Sequence, residues 1–175
     1  MYEKLWSLRK QLQHSHNLIH CITNPISMND CANAVLALGA KPIMAQHPME
    51  CEQITACSKA LALNLGNFDD SRAIAMKKSL HCANENGIPV IIDMVGAGCS
   101  DLREAFAEKL LHEGKFSILK GNLSELKAVS GRDSHARGLM WVMMIGKLLQ
   151  RVLNGWLSLH ANMVLLSCAV ERWIF

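Results

Sequence analysis

The stretch Ile88-Pro-Val-Ile-Ile-Asp-Met-Val-Gly-Ala-Gly-Cys-Ser100 decides the fold class of this chain. Its first half is an apolar run typical of a buried β-strand, and the run ends in the carboxylate of Asp93 before a turn with two glycines. In an open parallel sheet, ligands bind at the carboxyl ends of the strands, and glycine turns there let backbone N–H groups face an anion. Asp93 is therefore a candidate metal or phosphate residue, with capping of the turn as the alternative role.

A second strand end of the same kind lies downstream, in Phe116-Ser-Ile-Leu-Lys-Gly-Asn-Leu-Ser-Glu125. Lys120 closes the strand beside the start of a helix, where a cation is well placed to meet phosphate oxygens. Glu125 falls in the first turn of that helix, either as a capping carboxylate or as a second carboxylate that organises magnesium. Cationic charge, a carboxylate-held metal and an oriented hydroxyl are together the requirements of phosphoryl transfer.

The rest of the chain alternates short apolar strands with helices of about a dozen residues. Strands are predicted at 18–23, 42–45, 60–66, 88–93 and 116–120, and helices at 3–14, 27–39, 48–59, 69–86, 101–112 and from Asn122 onward. Continuous rather than alternating apolar strands are expected when helices cover both faces of a sheet. We therefore predict a three-layer αβα fold with a doubly wound, mostly parallel sheet and right-handed crossovers, in a single domain.

Composition excludes several classes of protein. The formal charge is +3 with scattered basic residues, which leaves no electrostatic footprint for nucleic acid. No apolar run reaches the roughly 18 residues of a membrane span, and we expect a cytoplasmic protein without membrane partners. The seven cysteines are odd in number and form no C-x-x-C pair, and the histidines form no ligand motif. Reduced, buried cysteines are therefore expected rather than disulfides or a zinc site.

Four strand ends carry small or polar groups: Thr23-Asn24, Met44-Ala45, Asn64 to Gly66, and Asp93 to Gly98. If these strands are neighbours, their ends converge on one rim that suits a small polar-aromatic ligand. Met44 would then be an apolar wall of that site, although plain core packing is the commoner role for a methionine.

The glycine turn also excludes two common nucleotide motifs. It is not a Walker A loop, because no Gly-Lys-Ser/Thr follows, and it lacks the third glycine of a dinucleotide fingerprint. The alternative hypothesis of a nicotinamide-dependent oxidoreductase would be supported by this turn alone.

The strand–helix pattern degrades after Gly138. The stretch Leu139-Met-Trp-Val-Met-Met-Ile-Gly-Lys147 is rich in methionine and tryptophan and has neither a helix cap nor a strand pattern. Both residues have single codons, and moving the reading frame by one base converts the stretch into an ordinary polar loop. We interpret this as a frameshift near Gly138 and expect residues 139–175 to lie partly outside the domain's pattern.

Several motifs occur in register and together resemble hydroxyethylthiazole kinase, a thiamine-biosynthesis enzyme of the ribokinase-like superfamily. They are His20-Cys-Ile-Thr-Asn24, Asn33-Ala-Val-Leu-Ala-Leu-Gly-Ala-Lys-Pro-Ile-Met-Ala45, Ala62-Leu-Asn-Leu-Gly66, Ile88 to Gly98, and Lys120-Gly-Asn-Leu-Ser-Glu125. The resemblance implies ATP- and Mg²⁺-dependent phosphorylation of 4-methyl-5-(2-hydroxyethyl)thiazole in thiamine salvage. It also implies a homotrimer with active sites between subunits.

The resemblance implies roles for individual residues. Met44, Asn24 and Gly66 would bind the thiazole, and Asp93 and Glu125 would serve the metal. Lys120 stands where the family usually has an ATP-binding arginine, which keeps the charge but loses the bidentate fork. Met94 replaces the family's usual proline and should loosen the turn. Ser167 corresponds to an ATP-contacting threonine, although Cys168 and Ala169 depart from that motif.

One family segment has no counterpart in the sequence. The family's Gly-Thr-Gly-Cys segment supplies the anion hole, so no catalytic residue is assigned. Donors aimed at developing charge are each worth about 10²–10³ in rate. Two alternatives follow: a thiazole kinase, or a catalytically dead truncated remnant that binds ligand or subunits at most weakly.

Overall fold

The computed structural model describes residues 2–67 and 69–129, which alternate between strands and helices as expected. The strands are β1 (Leu18–Ile22), β2 (Lys41–Ile43), β3 (Ala60–Asn64), β4 (Val90–Asp93) and β5 (Ile118–Lys120). The α-helices are α1 (Tyr2–Ser15), α2 (Met28–Ala37), α3 (Cys51–Ala56), α4 (Asp70–Glu85), α5 (Asp101–Glu113) and α6 (Leu123–Ala128), with a 3₁₀ turn at Ala97–Cys99. Residues 139–175, for which we interpret a frameshift, lie outside the described residues.

The five strands form one parallel sheet in the order β2-β1-β3-β4-β5. The chain runs from β1 to β2 in one direction along the sheet and then from β3 to β5 in the other. With right-handed crossovers, this reversal places α2 on one face and α3, α4 and α5 on the opposite face. The predicted doubly wound, three-layer α/β fold is confirmed, and its topological switch point lies between β1 and β3.

Local capping explains where the helices begin. Asp69 accepts a hydrogen bond from the Arg72 backbone N–H at the start of α4 and so caps that helix. Ser27 makes no such bond to α2, because its hydroxyl donates to the Asn24 carbonyl instead. Helix α3 is shorter than the predicted 48–59, because turns occupy both flanks of its six residues.

The core lies on one side of the sheet. On β3 and β4, buried residues (Leu61, Leu63, Val90, Ile92) alternate with half-buried ones. None of the ten residues of α2 is buried. Helices therefore lie on both faces, but among the described residues the face towards α4 and α5 is fully covered and the face towards α2 only partly.

Among residues 2–67 and 69–129, no helix is long and apolar enough to cross a membrane.

Candidate functional site

The last residues of three neighbouring strands lie side by side. Asn64 on β3 pairs in register with Asp93 on β4, and Asp93 pairs with Lys120 on β5. Register partners in a sheet project to the same face, so an amide, a carboxylate and an ammonium group form one polar row at the carboxyl edge. This is the edge at which open α/β proteins bind ligands.

Asp93 is the centre of this row. Its Oδ2 accepts a hydrogen bond from Lys120 Nζ at 2.8 Å and a longer one from Asn64 Nδ2 at 3.4 Å. Its Oδ1 is buried and has no hydrogen-bond partner in the described part of the chain. A buried carboxylate oxygen without a donor is costly, of the order of 1–3 kcal/mol. Such a group points to a bound species that the protein alone does not supply.

The glycine turn after β4 is tied to helix α6 by Glu125. Gly96 has a φ of +70°, a conformation that favours glycine, and its N–H donates to Glu125 Oε1 at 3.0 Å. Glu125 Oε2 accepts from the Asn122 N–H at 2.8 Å, and Asn122 Oδ1 accepts from the Glu125 N–H at 2.9 Å. The capping role considered for Glu125 is thus present, in a capping box. Its role toward magnesium stays a prediction.

Met94, which was expected to loosen the turn after β4, makes a backbone hydrogen bond there. Its side chain is fully buried in the core, and its N–H donates to the Lys120 carbonyl at 2.8 Å. This bond extends the β4–β5 ladder by one residue, which a proline cannot do because it has no N–H. The turn is therefore held rather than loosened at this position.

A second polar group lies at the switch point between β1 and β3. Asn24 Oδ1 accepts from the Ile26 N–H at 3.0 Å and from Asn67 Nδ2 at 3.1 Å. The Gly66 N–H donates to Asn64 Oδ1 at 2.8 Å. A Cβ on Gly66 would lie 2.8 Å from Asn24 Nδ2 and 2.9 Å from Asn64 Oδ1, so both asparagines close on this glycine. The predicted convergence of Asn24, Gly66 and Asp93 on one edge is in agreement with this arrangement.

Two arginines that the sequence did not single out hold the loop after β3. Arg72 is 3% exposed and donates to the carbonyls of Asn64, Gly66 and Asn67. Arg103 donates to the Leu65 carbonyl at 2.8 Å. These contacts could not be predicted from the sequence. Each arginine lies in a helix, and the periodic pattern of a helix does not show which loop its side chain reaches.

Met44 is half-buried and directly follows β2, the strand next to β1 at the border of the described sheet. The adjacent Ala45 carbonyl lies 2.7 Å from Nε2 of the fully buried His20. The apolar-wall role of Met44 stays a prediction. Ser167 lies outside the described residues.

Burial lowers the pKa of His20, and the Ala45 carbonyl and the charge of Glu50 oppose this shift only in part. The unfolded chain binds a proton at His20 below its ordinary pKa of 6.5, whereas the folded chain does so only at lower pH. The free energy of unfolding should therefore fall as pH decreases from 6.5 to the lowered pKa. Urea titrations over this range test it. His20→Gln should reduce the dependence of the free energy of unfolding on pH, and substitution of an exposed histidine, His81→Gln, serves as the control. Equal pH dependence in the wild type and both variants contradicts the assignment to His20.

The six described cysteines are free, and the buried ones fit the predicted structural role. Burial raises the pKa of the Cys21 thiol to about 11, so this thiol is protonated and unreactive at neutral pH. Four of the six are not buried, which departs from the expectation of buried thiols. The described residues contain no cluster of three or more histidine, cysteine, aspartate or glutamate side chains that would hold a metal unaided.

The chain is similar to known proteins of one family. The model of the hydroxyethylthiazole kinase family matches residues 9–143. Hydroxyethylthiazole kinase 2 of Clostridium botulinum (strain Hall) is 51% identical over 132 residues, which are 75% of this chain and 50% of that protein. Hydroxyethylthiazole kinase of Finegoldia magna is 42% identical over 139 residues, 79% of this chain and 52% of that protein.

A solved structure has a similar fold. The hydroxyethylthiazole kinase protein of Pyrococcus horikoshii OT3 superposes with a TM-score of 0.70 at 32% identity, covering 87% of this chain and 57% of that one. The chain thus spans about half the length of the curated relatives it matches.

Proposed function

The chain belongs to the hydroxyethylthiazole kinase family, and from that membership we propose that it binds ATP and 4-methyl-5-(2-hydroxyethyl)thiazole. We propose further that the protein transfers the γ-phosphate of ATP to the thiazole's hydroxyl in thiamine salvage. The observation that carries this proposal is the polar row of Asn64, Asp93 and Lys120, with its unpartnered buried oxygen.

The phosphate end of the site is assigned to Lys120 and Asp93. The Lys120 side chain is 60% exposed and its ammonium is held over the strand ends by Asp93, so it can exchange that carboxylate for phosphate oxygens. As a point charge, lysine binds phosphate without the fixed geometry of an arginine fork. Asp93 in turn becomes free to accept other donors or a cation.

The residues present fit a magnesium ion. Oxygen ligands are what this hard cation prefers, and Asp93 Oδ1 is a buried carboxylate oxygen without a partner in the described structure. Asp93 would hold the ion, and Glu125 would support the site by binding the Gly96 N–H of the adjacent turn. When bound, the ion neutralises charge on the phosphates. Lys120 supplies the same kind of stabilisation from the protein.

The thiazole end is assigned to the switch point. Asn24 and Gly66 would supply polar edges and close backbone approach, and Met44 a polarizable apolar wall against the ring. As the family resemblance implies, we propose a cytoplasmic homotrimer in which a neighbouring subunit completes each site.

Calorimetric titration of the full chain with the thiazole alcohol and with Mg·ATP, followed by an assay of ADP release, tests the proposal. We expect binding of both ligands, and Lys120→Gln should weaken nucleotide binding by about tenfold, or 1.4 kcal/mol. The control Lys78→Gln removes another exposed lysine, paired with Glu52 at 3.1 Å, and should have no effect. Failure of the wild-type chain to bind the alcohol contradicts the proposal.

The assay also separates turnover from binding alone. The second candidate is a catalytically dead chain that binds its ligands at most weakly. ADP release that depends on the thiazole alcohol excludes the second candidate.

Gly66→Ala should weaken binding of the thiazole alcohol by about tenfold or more. The added Cβ would approach the amide groups of Asn24 and Asn64 to less than 3 Å, and these side chains must move away from the site. Because the obstacles are side-chain ends, the fold should survive.

Gly87→Ala is the matched control for this substitution. Gly87 lies just after α4 with nothing within 4 Å of an added Cβ, and because its φ is +64° the substitution costs only stability. Unchanged thiazole affinity in Gly66→Ala, measured by calorimetry, would place the ligand elsewhere.

A further inference from the structure

His20 connects three separate parts of the fold. It lies in the middle of β1, is fully buried, and has a partner at each ring nitrogen. Nε2 lies 2.7 Å from the carbonyl oxygen of Ala45, in the segment after β2. Nδ1 lies 2.8 Å from the hydroxyl of Thr55 in α3. These partners are 25 and 35 residues away along the chain.

The chemistry of the partners determines which nitrogen carries the proton. A carbonyl oxygen only accepts, so Nε2–H must donate to Ala45. The neutral ring then accepts at Nδ1 from the Thr55 hydroxyl. Thr55 Oγ1 also lies 2.7 Å from the Cys51 carbonyl, so its single proton goes either to that carbonyl or to Nδ1 of His20. Thr55 thereby orients the ring that holds Ala45.

The segment held by this ring has little other support. The pairing of β2 with β1 ends at His20 and Ile43. In the described structure, the bond from His20 is the one hydrogen bond that fixes the backbone of residues 44–46 to the sheet. Met44 is next to the anchored carbonyl, so the position of its side chain depends on that bond.

We propose that His20 is a positioning residue for the thiazole site, fixing the Ala45 carbonyl and with it the Met44 wall, while Thr55 fixes the ring. This inference rests on the proposed function, because the place of Met44 matters for binding only if the thiazole binds beside it. Loss of the anchor should weaken thiazole binding and leave nucleotide binding intact, because Lys120 lies at the opposite end of the strand order.

Three substitutions separate this role from plain core packing. His20→Gln removes the ring, Thr55→Val removes only the hydroxyl, and Thr55→Ser restores it. The control Leu110→Ala truncates a fully buried side chain of α5 and destabilises the fold without touching the anchor. Each full-length variant is labelled with methyl-¹³C methionine, and the Met44 signal is assigned from a Met44→Leu spectrum. Calorimetry gives the affinities for the thiazole alcohol and for Mg·ATP.

We expect the Met44 methyl resonance to shift in His20→Gln and Thr55→Val, with thiazole affinity lowered about tenfold and nucleotide affinity changed less than about twofold. Thr55→Ser and Leu110→Ala should match the wild type in both respects. A resonance that stays in place in Thr55→Val, or an equal loss of both affinities, overturns the proposal. If the wild type does not bind the alcohol but the resonance still shifts, the anchor is supported and the proposed function is the part that fails.

Discussion

Asp93→Asn should reduce thiazole phosphorylation by at least about 100-fold, the size of effect seen when one group that stabilises developing charge is removed. It should also weaken the Mg²⁺-dependent part of ATP binding, because an amide is a poorer ligand for a hard cation than a carboxylate. The substitution keeps the shape of the side chain and removes its charge. The assay of ADP release and calorimetry with and without Mg²⁺ measure the two effects.

The same substitution should leave the free energy of unfolding unchanged or increased. The pair between Asp93 and the exposed Lys120 contributes at most about 1 kcal/mol. The opposing contribution is the cost of burying Oδ1, which has no partner among the described residues. A neutral amide lowers this cost. Lost function without lost stability is the signature of a residue retained for its chemistry.

Asp30→Asn is the control for Asp93→Asn. Asp30 is exposed in the first turn of α2, and its substitution should affect neither turnover nor nucleotide binding. If Asp93→Asn unfolds more than about 2 kcal/mol more easily than the wild type, its carboxylate is a structural group. Unaltered Mg²⁺-dependent binding would likewise remove Asp93 from the site.

Leu61→Ala should lower the free energy of unfolding by about 2–5 kcal/mol. Leu61 is fully buried on β3, the central strand, with neighbouring strands on both sides. Truncation removes buried methyl groups and leaves a cavity that a sheet interior closes poorly. Since domains of this size are stable by only about 5–15 kcal/mol, the loss is a large share of the total. Urea unfolding followed by circular dichroism measures it.

Ile74→Ala gives the comparison for Leu61→Ala. Ile74 is 49% exposed on α4, so its truncation should cost less than about 1 kcal/mol. Similar midpoints for the two variants would mean that β3 is not the centre of the core.

Local sequence patterns were sufficient to predict the elements of the fold. Each predicted strand is found, and Asn122 caps the start of α6, because apolar runs and helix caps are signals that lie within a few residues. The edge at which Asp93 and Lys120 meet was also predictable, since parallel strands bring their carboxyl ends together.

Contacts between distant residues were not predictable from such patterns. The ring of His20 meets Thr55 and Ala45 only after α3 has packed on the sheet, and nothing near His20 in sequence indicates either partner. The bond from the Met94 N–H to the Lys120 carbonyl likewise depends on the register of β4 and β5. The sequence indicated Glu125 as a candidate site residue, but only the structure shows that both its carboxylate oxygens accept backbone N–H groups.

Strand β2 also affects how the protein behaves in concentrated solution. It borders the described sheet, and a bordering strand offers unpaired backbone groups onto which another chain can add a strand. Here that border is three residues long and consists of Lys41, Pro42 and Ile43. Proline has no N–H to donate, and the exposed lysine would bring like charges together in a pair of identical strands. We therefore expect little edge-to-edge aggregation through this border of the described sheet.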